Sequence, residues 1–195
     1  MANFVLNKIT LHGNPDTIAL VAEMVRRFNA DRKLNKGVDD GGAVGRVLYG
    51  RVGNDANLGY ELTGARRVYV DDYIKDGKTF CFSSSWEPIN GLQDHILKYA
   101  SIIDPSVVVI NKYVDEGPSF FGCRIITCED DDFQVFEFRE DSKHLKIGHA
   151  DDLDAVDHPY QMTWDELNEM IEARKMDLIN DLIQQTHSVE RDYFL

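Results

Sequence analysis

An α+β sandwich is the fold class this chain predicts: one mostly antiparallel sheet with two helices on one face and a long helix added at the C-terminus. Three observations carry it. Two amphipathic helical stripes alternate with runs of β-branched and aromatic residues; Asp76-Gly77 and Glu129-Asp130-Asp131-Asp132 sit between apolar runs as hairpin turns; and Thr163-Trp164-Asp165-Glu166 opens a separate C-terminal stripe. The order strand, helix, hairpin, helix, hairpin favours an antiparallel sheet over a doubly wound parallel one.

The elements follow in chain order. Phe4 to Leu11 is rich in β-branched and bulky residues and stops at His12-Gly13, as a first strand should. Asn14-Pro15-Asp16 then supplies a capping residue, a proline at the first helical position and an acid in the first turn. Ile18, Val21, Ala22, Val25 and Phe28 follow at helical spacing and predict a helix over 14–31. Residues 35–64 differ in kind, with glycines at 37, 41, 42, 45, 50, 53, 59 and 64, and read as a long insertion. Its Gly41-Gly42-Ala43-Val44-Gly45-Arg46 lacks the Gly-Lys-Ser/Thr ending of a phosphate-binding loop and the spacing of a dinucleotide fingerprint.

Val68 to Lys75 and Lys78 to Trp86 flank Asp76-Gly77, which favours a type I′ turn because both residues tolerate positive φ. Leu92, Ile96, Tyr99, Ala100 and Ile103 predict a second helix over 90–103, ended by Asp104-Pro105. Val107 to Val114 reads as a strand, and Phe120 to Cys128 with Phe133 to Phe138 as a further hairpin. Residues 1–140 thus make one domain carrying the insertion, and 141–162 an acidic, irregular connector. In the helical extension over 163–195, Thr163 and Glu166 form a capping box ahead of Leu167, Ile171, Leu178 and Leu182. A lone helix gains most of its stability by packing, so docking on the sheet domain is expected, with another chain as the alternative.

Several residues resemble a known family. The strand Asn3 to Gly13, the turn Ser85-Trp86-Glu87-Pro88 ahead of a helix, and Gly117-Pro118-Ser119-Phe120-Phe121-Gly122 look like the YubB-type ferredoxin-like domain family of plasmids and phages, over Met1 to Phe138. The resemblance implies a ferredoxin-like sandwich and a mobile-element protein acting in the cytoplasm of a bacterial host. It implies no iron–sulfur cluster, which normally needs four cysteine thiolates where this chain has three cysteines.

Charge and composition restrict function. The net charge is −13, and Glu129 to Asp157 alone holds eleven acids against Arg139, Lys143 and Lys146. Such a chain is repelled by phosphate backbones, so direct nucleic-acid binding is not expected. No segment approaches the ~20 apolar residues of a membrane span, and the start lacks the run of a signal peptide. Cys81, Cys123 and Cys128 are odd in number and fall in predicted strands, as reduced thiols do, and the spacing of Cys123 and Cys128 points them to opposite faces. The scattered histidines and the acids at 151, 152, 154 and 157 lack metal-site spacing, so no metal or cofactor is expected. Ser83-Ser84-Ser85 has no nucleophile elbow.

Trp86 is expected to cover the end of the core, with a cleft lining as the alternative. A non-enzymatic protein that binds and modulates a bacterial host protein, such as a defence factor, is the leading functional expectation. Its candidate partner-binding residues are Trp86, Glu87, Phe120, Phe121, Glu129, Asp130, Asp131 and Asp132. The alternative is an acidic mimic of nucleic acid that blocks a DNA- or RNA-binding host protein. An enzyme with residues 35–64 as a lid over a Trp86 pocket is a third class.

Overall fold

A computed structural model describes residues 3–34, 56–73, 76–117, 119–130, 132–141, 146–148, 161–186 and 194. Strand β1 (Phe4–His12) alternates outward and inward side chains, with Val5, Asn7, Ile9 and Leu11 buried. Helix α1 (Pro15–Leu34) follows. Its entry is held by the Asn14 carboxamide oxygen, which accepts from Thr17 N at 2.8 Å, so the capping role expected of Asn14 is met.

Next come α2 (Ala56–Thr63), β2 (Arg66–Tyr73), β3 (Thr79–Ser85) and α3 (Asn90–Ala100). The hairpin strands β4 (Val108–Asp115), β5 (Phe120–Glu129) and β6 (Asp132–Asp141) complete a six-stranded sheet of order β2-β3-β1-β4-β5-β6, antiparallel at every pairing. Two short strands, β7 (Lys146–Gly148) and β8 (Gln161–Thr163), pair in parallel before α4 (Trp164–Gln185).

Among the described residues the two faces of the sheet are covered unequally. On the first face, Val21, Ala22, Val25 and Phe28 of α1 and Leu92, Ile96, Leu97 and Ala100 of α3 share one buried cluster with Ile9, Phe80, Phe82 and Val109. On the second face, α4 lies over the β4–β6 half. There Ile179 and Leu182 pack with Val108, Ile110, Cys123 and Ile125, while Leu167 and Ile171 pack with Phe121. The alternation of β5 produces this split, and it carries Cys123 into the second-face cluster while Cys128 packs on the first.

Several local expectations are corrected. Residues 56–63 form α2 instead of loop, and the glycine at 64 closes it: Gly64 has φ 75° and donates to Tyr60 O at 2.8 Å, a left-handed stop that a side chain would strain. The rest of the 35–64 insertion lies outside the described residues. The β2–β3 turn is not type I′. Among its described residues only Gly77 has positive φ, and Asp76 works through its carboxylate, which accepts from Lys78 N and Thr79 N at 3.0 Å each. Those bonds, with one from the Thr79 hydroxyl, outweigh burial and hold the Asp76 carboxyl below its ordinary pKa.

Helix α3 stops at Ala100, leaving Ile103 49% exposed instead of core-facing. Asp104 ends it, its backbone N donating to Ala100 O while its carboxylate accepts from Asn14 N at 2.7 Å. The 141–162 segment, read as irregular, contains β7 and the start of β8. The capping box at α4 forms as read, with Glu166 N donating to Thr163 Oγ1 at 3.1 Å and Thr163 N to Glu166 Oε2 at 2.8 Å.

Candidate functional site

The residues singled out by sequence separate into two ends of the sheet. Trp86 is not a core anchor: it is 53% exposed with φ 73°. Its backbone N donates to Asn3 O at 3.1 Å as the chain leaves β3, and that left-handed turn swings the indole out of the layer. The side-chain oxygen of the buried Asn7 then accepts from Ile89 N at 3.1 Å and fixes the turn from beneath.

Glu87 pairs with Arg139 at 3.0 Å, and the Arg139 guanidinium lies 4.0 Å from the Phe120 ring centroid. Phe120 itself is only 7% exposed and packs with Val5 and Tyr113. Tyr113 fills the space over Gly122, where an added Cβ would meet Phe138 O at 2.4 Å and the Tyr113 hydroxyl at 2.6 Å. Phe121 points the other way and is fully buried under α4, so it serves packing and offers no partner surface.

Glu129, Asp130 and Asp132 form the far tip of the β5–β6 hairpin, where Glu129 pairs with Asp132 and Asp130 takes φ 51°. At a rise of ~3.3 Å per residue, β5 separates them from Phe120 by roughly 30 Å. The seven described candidates therefore do not form one site. Asp131 and the acids at 151, 152, 154 and 157 lie outside the described residues. Among the described residues no cluster of His, Cys, Asp or Glu could hold a metal.

The site that the fold does build is elsewhere, along the edge of α4 on the half-covered second face. A groove of about 580 Å³ runs between α4 and the strands β1, β3 and β4. Its floor comes from strand alternation: Leu6 and Lys8 point to the second face, paired across to Val114 and Lys112 on one side and to Ser83 and Cys81 on the other. Its wall is Trp164, Asn168, Ile171 and Glu172 of α4. Those positions recur at helical spacing, so they form one stripe that starts from the core-facing Ile171. Leu6 is 50% exposed there, and Phe4, 36% exposed, extends the apolar floor toward Tyr69, its ring 6.3 Å away centroid to centroid.

The charges on the groove are mostly cationic. Glu172 accepts from both Lys112 and Lys175. Burial pushes its carboxyl up, but the hydrogen bonds from those two lysines outweigh it and hold the pKa below the ordinary value of 4.5. Lys8 is exposed and has no ion-pair partner among the described residues. The lining thus holds Lys8 and Lys112 against the single carboxylate of Glu172 in a chain of net charge −13.

Other buried polar groups hold the fold and leave the groove free. Gln93 Nε2 donates to Val109 O and Arg124 O at 2.9 Å each, while Arg124 donates to Asp94 at 2.7 Å, locking the start of α3 to the sheet. Burial raises the Cys123 thiol and the Tyr113 phenol to about 12 each, so neither ionises near neutrality. Sequence reasoning passed over Leu6, Lys8, Lys112, Trp164 and Glu172; the available signal was Phe4 to Leu11 itself, whose apolar residues occupy both parities. Comparison with protein-family models, with curated proteins and with solved structures finds no match.

Proposed function

We propose that this chain is a non-enzymatic binding protein that engages a bacterial host protein through the groove between α4 and β1. Phage or plasmid origin is the part of this reading that rests on the resemblance of Asn3 to Gly13, Ser85 to Pro88 and Gly117 to Gly122. The finer fold within it is ferredoxin-like: strand, helix, two strands, helix, strand with the order β2-β3-β1-β4 supports it, and β5 and β6 extend that sheet.

The single observation that carries the binding role is the second face, half-covered among the described residues, on which Leu6 and Phe4 stay exposed beside a groove of about 580 Å³. A domain that buries its first face under two helices has the means to cover apolar strands, and such strands left open beside a groove suit a partner. Acidic mimicry would need regularly spaced carboxylates over an extended surface; the described acids of the 129–132 turn gather at one hairpin tip instead.

The test is affinity capture from bacterial lysate with three baits: the native chain, Leu6→Asp with Lys8→Glu, and Glu129→Gln with Asp130→Asn and Asp132→Asn. All three should stay folded, checked by their melts, because Leu6, Lys8, Asp130 and Asp132 are exposed and Glu129 is half-buried. A host protein lost by the groove bait and kept by the neutralised bait supports the reading. The reverse pattern would transfer the role to the acids.

A further inference from the structure

We infer that the occupant of the groove is an amphipathic helix of the partner protein, lying beside α4 and carrying acidic residues toward Lys8 and Lys112; this rests on the binding role proposed above. Dimensions favour a helix. Strands spaced ~4.8 Å apart make β1, β3 and β2, over whose second face the described residues place no helix, about 14 Å wide. One helix with its side chains is ~10–12 Å across, so this strip is one helix wide. The first face already carries α1 and α3, whereas the described cover of the second is α4 on its β4–β6 half, with Phe194 beside His12 at the far end of β1. A second helix on this face would complete the layer.

The outward run from Phe4 to Thr10 spans roughly 20 Å, which an α-helix covers in about 13 residues. The floor is apolar at Phe4, Leu6 and Val114, matching the apolar stripe of such a helix, whereas Ile171 of the wall is already buried against Phe121. Charge then selects among amphipathic helices. Lys8 has no ion-pair partner among the described residues, and Lys112 shares Glu172 with Lys175, so the groove's rim favours carboxylates. A helix flanked by lysines would meet like charges at both positions.

The test uses two helical peptides about 16 residues long, identical in their Leu/Ile stripe and flanked by Glu in one and by Lys in the other. The protein is the full chain with Trp86→Phe, which leaves Trp164 of the groove wall as the sole tryptophan of the two in the sequence. The Glu peptide should shift Trp164 emission to the blue and bind about tenfold more tightly than the Lys peptide, and Lys8→Glu should reverse that order. Equal binding of the two, or preference for the Lys peptide, overturns the proposed charge match.

If neither peptide binds while Leu6→Asp with Lys8→Glu still abolishes host-protein capture, the helical occupant is wrong and the groove reading stands. If capture survives that variant, the groove reading itself fails. A concentration-dependent dimer dispersed by Leu6→Asp would show that a second copy of this chain is the occupant, which also overturns the proposal.

Discussion

Replacing Trp86 by alanine and, separately, by glycine should reverse the usual stability order of those two residues. Trp86 holds φ 73° with 53% of its surface exposed. A left-handed conformation costs a residue with a Cβ roughly 1–2 kcal/mol, and glycine escapes that cost. Cutting a fully buried tryptophan to alanine costs about 3–5 kcal/mol, so a half-exposed one should cost about 2 kcal/mol. Trp86→Ala loses those contacts and keeps the strain. Trp86→Gly loses the same contacts and releases the strain, less roughly 0.4–1 kcal/mol for the freer unfolded chain. Glycine should therefore lead alanine by about 0.5–1 kcal/mol, which in a chain of this size is roughly 1–4 °C in Tm. Differential scanning calorimetry of the two variants reads this directly. A glycine variant that melts below the alanine variant, or an alanine variant destabilised by more than ~4 kcal/mol, would refute the outward placement of the indole.

Three further outcomes follow from the packing and the titration. Gly122→Ala should cost about 3 kcal/mol, and Tyr113→Phe should not rescue it, because the closest obstacle at 2.4 Å is the backbone oxygen of Phe138; paired thermal melts check both. The Glu172 carboxyl is held below its ordinary value of 4.5 in the folded state, so its contribution is present above that pH and lost as pH falls through the lower folded value. Acid titration of stability should therefore show a shallower acid limb for Glu172→Gln than for the native chain. Cys123, fully buried and raised to about 12, should resist iodoacetamide at mildly alkaline pH in the folded protein and react once it is unfolded, by peptide mass mapping.

What could be read from the residues alone was what depends on neighbours in sequence. Asn14-Pro15-Asp16 announces α1, and Thr163 with Glu166 announces α4, because capping is a bond across three positions. The hairpin tip at Glu129 and Asp132 is legible for the same reason. Asp76-Gly77 shows the limit: the turn was evident, but its type depended on a side-chain hydrogen bond that propensity does not distinguish from a second positive φ.

The groove was not legible. Leu6, Lys112 and Glu172 are distant in sequence and meet through β1–β4 pairing and the docking of α4, which are long-range events. Trp86 and Phe121 failed for a different reason. Hydrophobicity marks both as large apolar groups, but one carries positive φ and the other lies on the α4 side of β5, and only the folded sheet assigns those directions. Residues 56–63 were hidden by the glycine at 59, although Gly64 is a helix-stop signal in its own right.

The most direct test of the proposed binding role of the groove uses the chain's own thiols. Cys81 lines the groove, whereas Cys128 packs on the opposite face of the sheet, and both are partly accessible. Iodoacetamide labelling of the native chain, alone and in complex with the captured host protein, measures both rates in one sample. The account predicts that the complex slows labelling of Cys81 and leaves Cys128 unchanged. Protection of Cys128 with Cys81 reacting as freely as before would contradict it.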